Sequence, residues 1–262
     1  MNLADITPLI LTCDEGANIG RTLQGLAWAR RIVVVDSGST DDTLEIVGRD
    51  PRAQVFQRRF DSHAAQWNFG LQGTGIDSEW VLALDADYGV DDAFVAELRA
   101  LAPDSQTAGY RAAFAYCIDG APLRASLYPP VTVLFRRAAG RYVQDGHTQR
   151  LEVSGAVAAL SAKLRHDDRK PLQHWLRSQA RYMALEADKL RARPWSALDT
   201  IDRLRRLRIV APPAVFFYCL LGKGLIFDGR AGLFYALQRA TAEMVLSLTL
   251  LRGDLQRRGK QP

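Results

Sequence analysis

Cysteine is scarce in this chain: three residues in 262, Cys13, Cys117 and Cys219, far apart and never in a Cys-x-x-Cys pair. That scarcity suggests neither a disulfide framework nor a zinc site, and it fits a reducing cytosol. No Gly-x-Gly-x-x-Gly follows the first apolar run, which argues against a dinucleotide fingerprint. The apolar segment 214–227 is broken by glycine and carries Lys223, falling short of the about 20 apolar residues that a membrane span needs. The N-terminus has no basic region ahead of its apolar run, so no signal peptide is read and secretion is not expected.

What is present is a 29.1 kDa chain with 48% hydrophobic residues, enough to bury a full core. Its net charge of +5 hides an asymmetry: residues 161–262 hold 20 Lys/Arg against 9 Asp/Glu, and residues 1–160 hold 14 against 20. The basic half is the candidate for an acidic surface, lipid or nucleic acid. It lacks the aromatic platform and glycine pattern of the common RNA-binding modules, so no nucleic acid partner is expected.

Strand and helix signals alternate through the first half. Ile6 to Thr12, Arg31 to Asp36, Ala53 to Gln57 and Trp80 onward read as strands, and the β-branched run Ile32 to Val35 suits a buried parallel one. Asn18 to Trp28, Thr43 to Gly48, His63 to Gln72 and Asp91 to Leu101 read as helices. Gly38 permits a tight turn, and Ser39, Thr40 or Asp41 can cap the helix after it. Short connections imply βαβ units and a doubly wound α/β sheet. Gly109 to Ile118, Val131 to Arg136 and Leu151 to Ala158 read as strands of a second, more mixed region.

From Pro171 the period becomes helical. Leu172 to Leu190 gives a long amphipathic helix, and Leu198 to Leu207 a second that carries Arg203, Arg205, Arg206 and Arg208 and is stopped by Pro212-Pro213. A basic helix followed by an apolar, aromatic-rich one fits a position in the lipid interface. A helical cap with a solvated basic face fits the same pattern.

The stretch Trp80 to Tyr88 delivers two carboxylates, Asp85 and Asp87, to the C-terminal edge of its strand, where open α/β sheets bind ligands. An Asp-x-Asp there can hold a hard divalent cation, and the cation can neutralise a diphosphate. Alone, the tripeptide reads equally as a solvated turn.

Four stretches in order carry a resemblance: Leu11-Thr-Cys-Asp-Glu-Gly-Ala-Asn-Ile, Ile32-Val-Val-Val-Asp-Ser-Gly-Ser-Thr-Asp-Asp-Thr, Gln66-Trp-Asn-Phe-Gly-Leu and Leu82-Ala-Leu-Asp-Ala-Asp. Together they resemble the family 2 glycosyltransferases of GT-A fold, especially bacterial enzymes that extend lipopolysaccharide cores and other surface glycans. The likeness covers roughly residues 5–170, and the C-terminal helices more loosely. It implies a GT-A-type, Rossmann-like, mostly parallel sheet over residues 1–170 and an amphipathic helical, membrane-interface extension over 171–262.

The resemblance also implies roles. Thr12 and Glu15 would line the nucleotide base pocket, and Asp36 would accept a hydrogen bond from the base, with Ser37 beside it. Asp85 would touch the ribose or donor sugar, Asp87 would ligate Mg²⁺ or Mn²⁺, and His166 would complete the metal or diphosphate shell. Of Arg136 and Arg137, at the end of a strand, one is expected to reach the diphosphate or an anionic acceptor, Arg136 being taken for the donor side, and the other to be solvated. The donor would be a nucleoside diphosphate sugar, uridine-linked in kind, and the acceptor a lipid-linked saccharide. The enzyme would sit peripherally on the anionic inner face of the cytoplasmic membrane. Inversion needs one general base. Related enzymes carry a His-Glu pair where this chain has His147-Thr148, so Asp145 is expected as base, with His147 orienting it, or His147 acts itself. Transfer to a polyprenyl phosphate, or a nucleotide-sugar-binding protein without catalysis, are the alternative readings.

Overall fold

A computed structural model describes the backbone of residues 1–145 and 148–258, with every side chain there except those of residues 145, 148 and 258. The chain divides into two compact units, Met1–Gly120 with Tyr128–Lys170, and Ala121–Leu127 with Pro171 onward.

The first unit is built on a seven-stranded sheet. Strands β1 (Ile6–Thr12), β2 (Ile32–Asp36), β3 (Ala53–Gln57) and β4 (Trp80–Asp85) are mutually parallel in the order β4-β1-β2-β3. Helices α1 (Ile19–Gly25), α2 (Thr43–Gly48) and α3 (His63–Gly73) connect them. Because β2 and β3 extend to one side of β1 and β4 lies on the other, strand order reverses beside β1. Such a switch point leaves a crevice at the C-terminal strand ends.

Side-chain alternation supplies two cores. Ile10, Ile32, Val34, Trp80, Leu82 and Leu84 face one side, with Ile19 and Leu23 of α1 and Leu26 just past its end. Leu9, Val33, Val35, Val81 and Ala83 face the other, with Ala64, Trp67 and Leu71 of α3. A sheet apolar on both faces reads as continuous hydrophobic runs, as β2 does.

Beyond β4 come β5 (Tyr88–Gly89), α4 (Asp92–Ala100), β6 (Thr107–Ala112), β7 (Phe114–Ile118), β8 (Ala121–Pro122), β9 (Val131–Arg136), β10 (Gly140–Asp145), β11 (Thr148–Val153), β12 (Ala156–Ala159) and β13 (Leu164–His166). β9 runs antiparallel between β4 and β6, and β12 joins β6 in parallel. β10 and β11 pair antiparallel, with Asp145 opposite Thr148.

Several expectations are corrected here. The single strand over 109–118 is two strands in two sheets, because Ala113, whose carbonyl accepts the Leu164 amide, is where the chain changes partner from β9 to β13. The strand over 151–158 breaks at Gly155, where φ of +135° turns the chain from β11 to β12. β10 and β13 carry no long apolar run and were not expected.

The second unit is helical: α5 (Leu172–Ala192), α6 (Thr200–Arg206), α7 (Ala211–Phe217) and α8 (Gly229–Arg258). Ala187, Leu190, Leu198, Leu246 and Leu250 form its core. Pro212 and Pro213 do not end the preceding helix, which stops at Arg206 ahead of Arg208 at φ +70°; they sit in the first turn of α7, where a missing N–H costs nothing. The 30-residue α8 has no counterpart in the sequence reading, since its apolar residues are spread around the helix and leave little amphipathic signal. Among the described residues no single helix is long and apolar enough to cross a membrane. One pair bent by 75°, Ala211–Gly222 with Leu225–Arg257, passes that test jointly.

Two of the four arginines expected to form a lipid-facing stripe are otherwise engaged. Arg205 lies 2.7 Å from Glu243, 3.6 Å from Glu186 and 3.7 Å from Asp202, all three acids being buried. Arg208 is paired with Asp254.

Candidate functional site

The ends of β1, β2 and β4 bring the expected residues together, since register sets Thr12 beside Asp36 and Leu11 beside Asp85. Asp36 is 0% exposed. Its Oδ1 accepts the Thr12 hydroxyl at 2.9 Å and the Ser39 hydroxyl at 2.5 Å. Its Oδ2 accepts the Gly38 amide at 2.8 Å and the Ser39 amide at 2.9 Å. Gly38, at φ +91°, makes that wrap possible. Four donors from the chain occupy this carboxylate, so its visible work is to shape the loop after β2. Ser37 donates its amide to the Thr12 carbonyl, and its hydroxyl accepts from Gln66 at 2.7 Å.

The loop after β1 is tied to the same framework. Asp14, at φ +53°, accepts the Thr40 amide, Glu15 donates its amide to Thr43, and Gly16 to Asp41. The Glu15 side chain is thereby turned inward, where Lys170 donates to it at 2.5 Å and Asn18 at 2.9 Å. Burial pushes the Glu15 carboxyl up to about 7 despite these partners. Burial alone would lower Lys170, but the Glu15 charge and hydrogen bond outweigh it and hold the ammonium above its ordinary range.

Asn18 stands just ahead of α1, and no site role was expected of it. It makes no capping bond; its amide bridges Glu15 to Asp168 and accepts from Arg21 and from the Arg169 amide. A polar residue before an apolar-periodic run signals a cap, and nothing local marks a partner 150 residues away.

The two carboxylates after β4 occupy unlike settings. Burial and then the neighbouring Asp87 charge raise Asp85 to about 6, although the Tyr88 hydroxyl donates to it. Burial opposes the charged form of Asp87 as well, but His166 wins and holds it below the ordinary carboxylate range. The contact is Nε2 of His166 to Oδ2 of Asp87 at 3.0 Å. It exists because β13 pairs with both β5 and β7, which sets His166 against Tyr88 and Tyr116. The Tyr128, Tyr116 and Tyr88 rings stand 4.5, 4.6 and 5.3 Å from the imidazole, and Nδ1 is buried without a partner. The resemblance puts His166 in the metal or diphosphate shell; here Nδ1 is enclosed by rings and Nε2 lies on Asp87.

Arg136 is not at this site. It pairs in register with Trp80, at the opposite end of β4 from Asp85, and is occupied by Glu79, the Thr107 and Asp104 carbonyls and the Trp80 ring. The strand it ends runs antiparallel to β4, which sequence alone did not reveal. Trp67 stacks on Tyr142 at 5.2 Å, and Asn68 exchanges two hydrogen bonds with the Tyr142 backbone, so both serve to dock β10. The Asp145 side chain and His147 lie outside the described residues.

The arrangement gathers four carboxylates, Glu15, Asp85, Asp87 and Asp168, around one lysine and one histidine at a sheet edge. Residues 9–162 match the profile of the family described as Glycosyl transferase family 2. The lipopolysaccharide core biosynthesis glycosyltransferase LpsC of Rhizobium meliloti (strain 1021) is 25% identical over 250 residues, covering 90% of this chain and 87% of its own. Among solved structures, S. aureus TarS in complex with UDP-GlcNAc aligns at TM-score 0.48 and 13% identity, over 97% of this chain and 92% of that one. Glucosyl-3-phosphoglycerate synthase of Mycobacterium tuberculosis, in complex with Mn²⁺, UDP and phosphoglyceric acid, aligns at TM-score 0.45 and 13% identity, over 71% and 77%. Because the family profile runs from the middle of β1 nearly to β13 and spans more than half of the sequence, this chain belongs to glycosyl transferase family 2 and is a glycosyltransferase.

Proposed function

We propose that the enzyme takes its sugar from a nucleoside diphosphate sugar, uridine-linked in kind, and passes it with inversion to a saccharide carried on a lipid at the inner face of the cytoplasmic membrane. The observation that carries the donor half is the clustering of Glu15, Asp85, Asp87 and Lys170 at the switch point beside β1. Glu15 and the Thr12 end of β1 face the base; an acceptor there left without an N–H partner costs about 1–3 kcal/mol, which gives selectivity. A base contact by Asp36 requires the Thr12 or Ser39 hydroxyl to yield its place, and Ser37 stands beside that exchange. Asp85 takes the ribose or sugar hydroxyls.

The residues present fit Mg²⁺ or Mn²⁺. Asp85 and Asp87 offer carboxylate oxygens, the donors such ions prefer, and their mutual repulsion is what a cation relieves. Among the described residues no three side chains converge into a full metal cage, which suits an ion that takes its other ligands from phosphate and water. Bound, it supplies charge neutralisation to the leaving diphosphate. His166 fixes the rotamer of Asp87 through Nε2, and Lys170 places a second positive charge within reach of the same carboxylates. Asp145 serves as acceptor base with His147 orienting it; the Tyr142 ring on the same strand feels the Asp85 charge, which supports an approach of β10 to the donor side.

The lipid-linked acceptor is supported by the name of the relative LpsC and by α8, whose Leu237, Met244, Leu248, Leu251 and Leu255 are exposed at spacings of one helical face. Thermal unfolding with a panel of sugar nucleotides, with and without Mn²⁺, tests the donor. A metal-dependent rise with one uridine diphosphate sugar is expected, and no response to any nucleotide overturns the reading.

A further inference from the structure

Away from the sheet unit, the helical unit holds two adjoining cavities of about 600 and 220 Å³ that share a wall of Arg191, Arg206 and Arg208. Arg193 and Trp195 complete the larger, and Arg257 and Asp254 the smaller. Asp254 is the one carboxylate in either lining, and it pairs with both Arg208 and Arg257. Arg191 reaches Asp188 at 3.2 Å, a residue at the surface. Among the described residues no ion pair involves Arg193 or Arg206. The Nε atoms of Arg191 and Arg208 are buried and have no acceptor.

These arginines are held in place by the backbone. Arg191 donates to the Thr249 and Leu250 carbonyls of α8, crossing it at Gly253, where a Cβ would collide with the guanidinium. Arg206 donates to the Arg193 carbonyl at 3.0 Å and lies 5.9 Å over the Trp195 ring. Ordering like charges side by side costs free energy, and among the described residues no ion pair offsets it at Arg193 and Arg206. A carboxylate has two oxygens in one plane, and the one in this lining, Asp254, already divides them between Arg208 and Arg257. A group with three or more anionic oxygens in tetrahedral array can engage several forks at once.

We propose that this arginine pocket is a phosphate site whose ligand is a phosphate monoester or pyrophosphate group. It is separate from the sugar-transfer reading, since none of its residues belongs to the carboxylate cluster. Two sources present such a group: a lipid headgroup at a membrane surface and a soluble phosphate.

The test uses the full-length protein in EDTA, so that no cation bridges phosphate to the carboxylates. Co-sedimentation is measured with phosphatidylcholine vesicles carrying phosphatidic acid, or phosphatidylglycerol at equal surface charge, and with inorganic pyrophosphate as competitor. Wild type is expected to prefer phosphatidic acid, and R193Q/R206Q to weaken that binding about tenfold or more, the scale of charge-assisted hydrogen bonds, with an unchanged unfolding transition. R177Q/R181Q, which removes the same charge from the exposed side of α5, is expected to lose far less. G253A, which displaces Arg191 and leaves every charge in place, is expected to fall between the two. Binding of pyrophosphate in solution, lost in R193Q/R206Q, assigns the soluble source; a pocket-dependent loss on vesicles alone assigns the headgroup. Equal losses in the two double variants, no loss in either, or no binding by wild type overturns the proposal.

Discussion

In the sheet unit Glu15, Asp85, Asp87, His166 and Lys170 are enclosed and answer one another's charge, whereas in the helical unit Arg191, Arg193, Arg206 and Arg208 stand along open cavities with few acids to meet them. Enclosure takes water from each carboxyl and leaves neighbouring charge unscreened: burial lifts Glu15 to about 7, burial and then the Asp87 charge lift Asp85 to about 6, and His166 holds Asp87 down. At the open wall, water screens such interactions, and among the described residues Arg193 and Arg206 have no acid paired with them. Arg205 shows that the contrast lies in the acids at hand rather than in the address: on the same helix as Arg206, it meets three buried acids and is tied to them as the sheet-unit charges are to one another.

Breaking the enclosed cluster should have the largest effect. Asp87→Asn keeps the shape but removes the charge that faces His166 and the donor, and turnover should fall about 10²- to 10³-fold while the circular dichroism spectrum stays native. Next comes Arg205→Leu, which leaves Glu186, Asp202 and Glu243 buried without their cation; urea denaturation should report a loss of about 3 kcal/mol. Arg203→Leu, exposed on the same helix, should move stability by no more than about 0.5 kcal/mol, and equal effects at 203 and 205 would erase the contrast. Thr12→Val removes one donor from the fully buried Asp36 and should cost about 1–3 kcal/mol by the same measurement.

The last expected effect is on pH dependence. The folded state holds a proton on Glu15 up to about 7, whereas an ordinary glutamate releases it near 4.5. The folded form therefore binds protons more readily, and stability rises as pH falls from above 7 toward 4.5. His166 pulls the same way: burial lowers it, but the Asp87 charge and hydrogen bond leave it raised above 6.5, so its contribution is lost as pH climbs. Below 3.8 the trend reverses, because Asp50, held down by its hydrogen bonds from Arg52, must be protonated. Melting temperature measured across this range should show the rise and then the fall, with the rise flattened in Glu15→Gln.

Much of this was legible in the residues. Strands β1, β2 and β4 and helices α1 to α4 announce themselves because each buries a local apolar set, and Asp36, Asp85 and Asp87 stand out as acids that end apolar runs. Elements without such a period escaped: β10 and β13 are short and mixed, and α8 is apolar on several sides. Arg136 was misplaced because its distance from Asp85 depends on β9 running antiparallel, and strand direction is a property of the pairing. Asn18, Lys170 and the His166 contact with Asp87 link residues far apart in the chain, and no spacing rule reaches them.

By itself, then, the order of residues determined the alternation of strands and helices, the carboxylates at the strand ends and the family to which they point, because those features are written in short-range periodicity and in motif. Only the tertiary structure decided which charges are enclosed and which are open. That distinction rests on burial, and burial is created when distant segments pack: it turned Glu15 toward Lys170, spent His166 on Asp87, closed Arg205 among three acids and left Arg193 and Arg206 at the wall of a pocket.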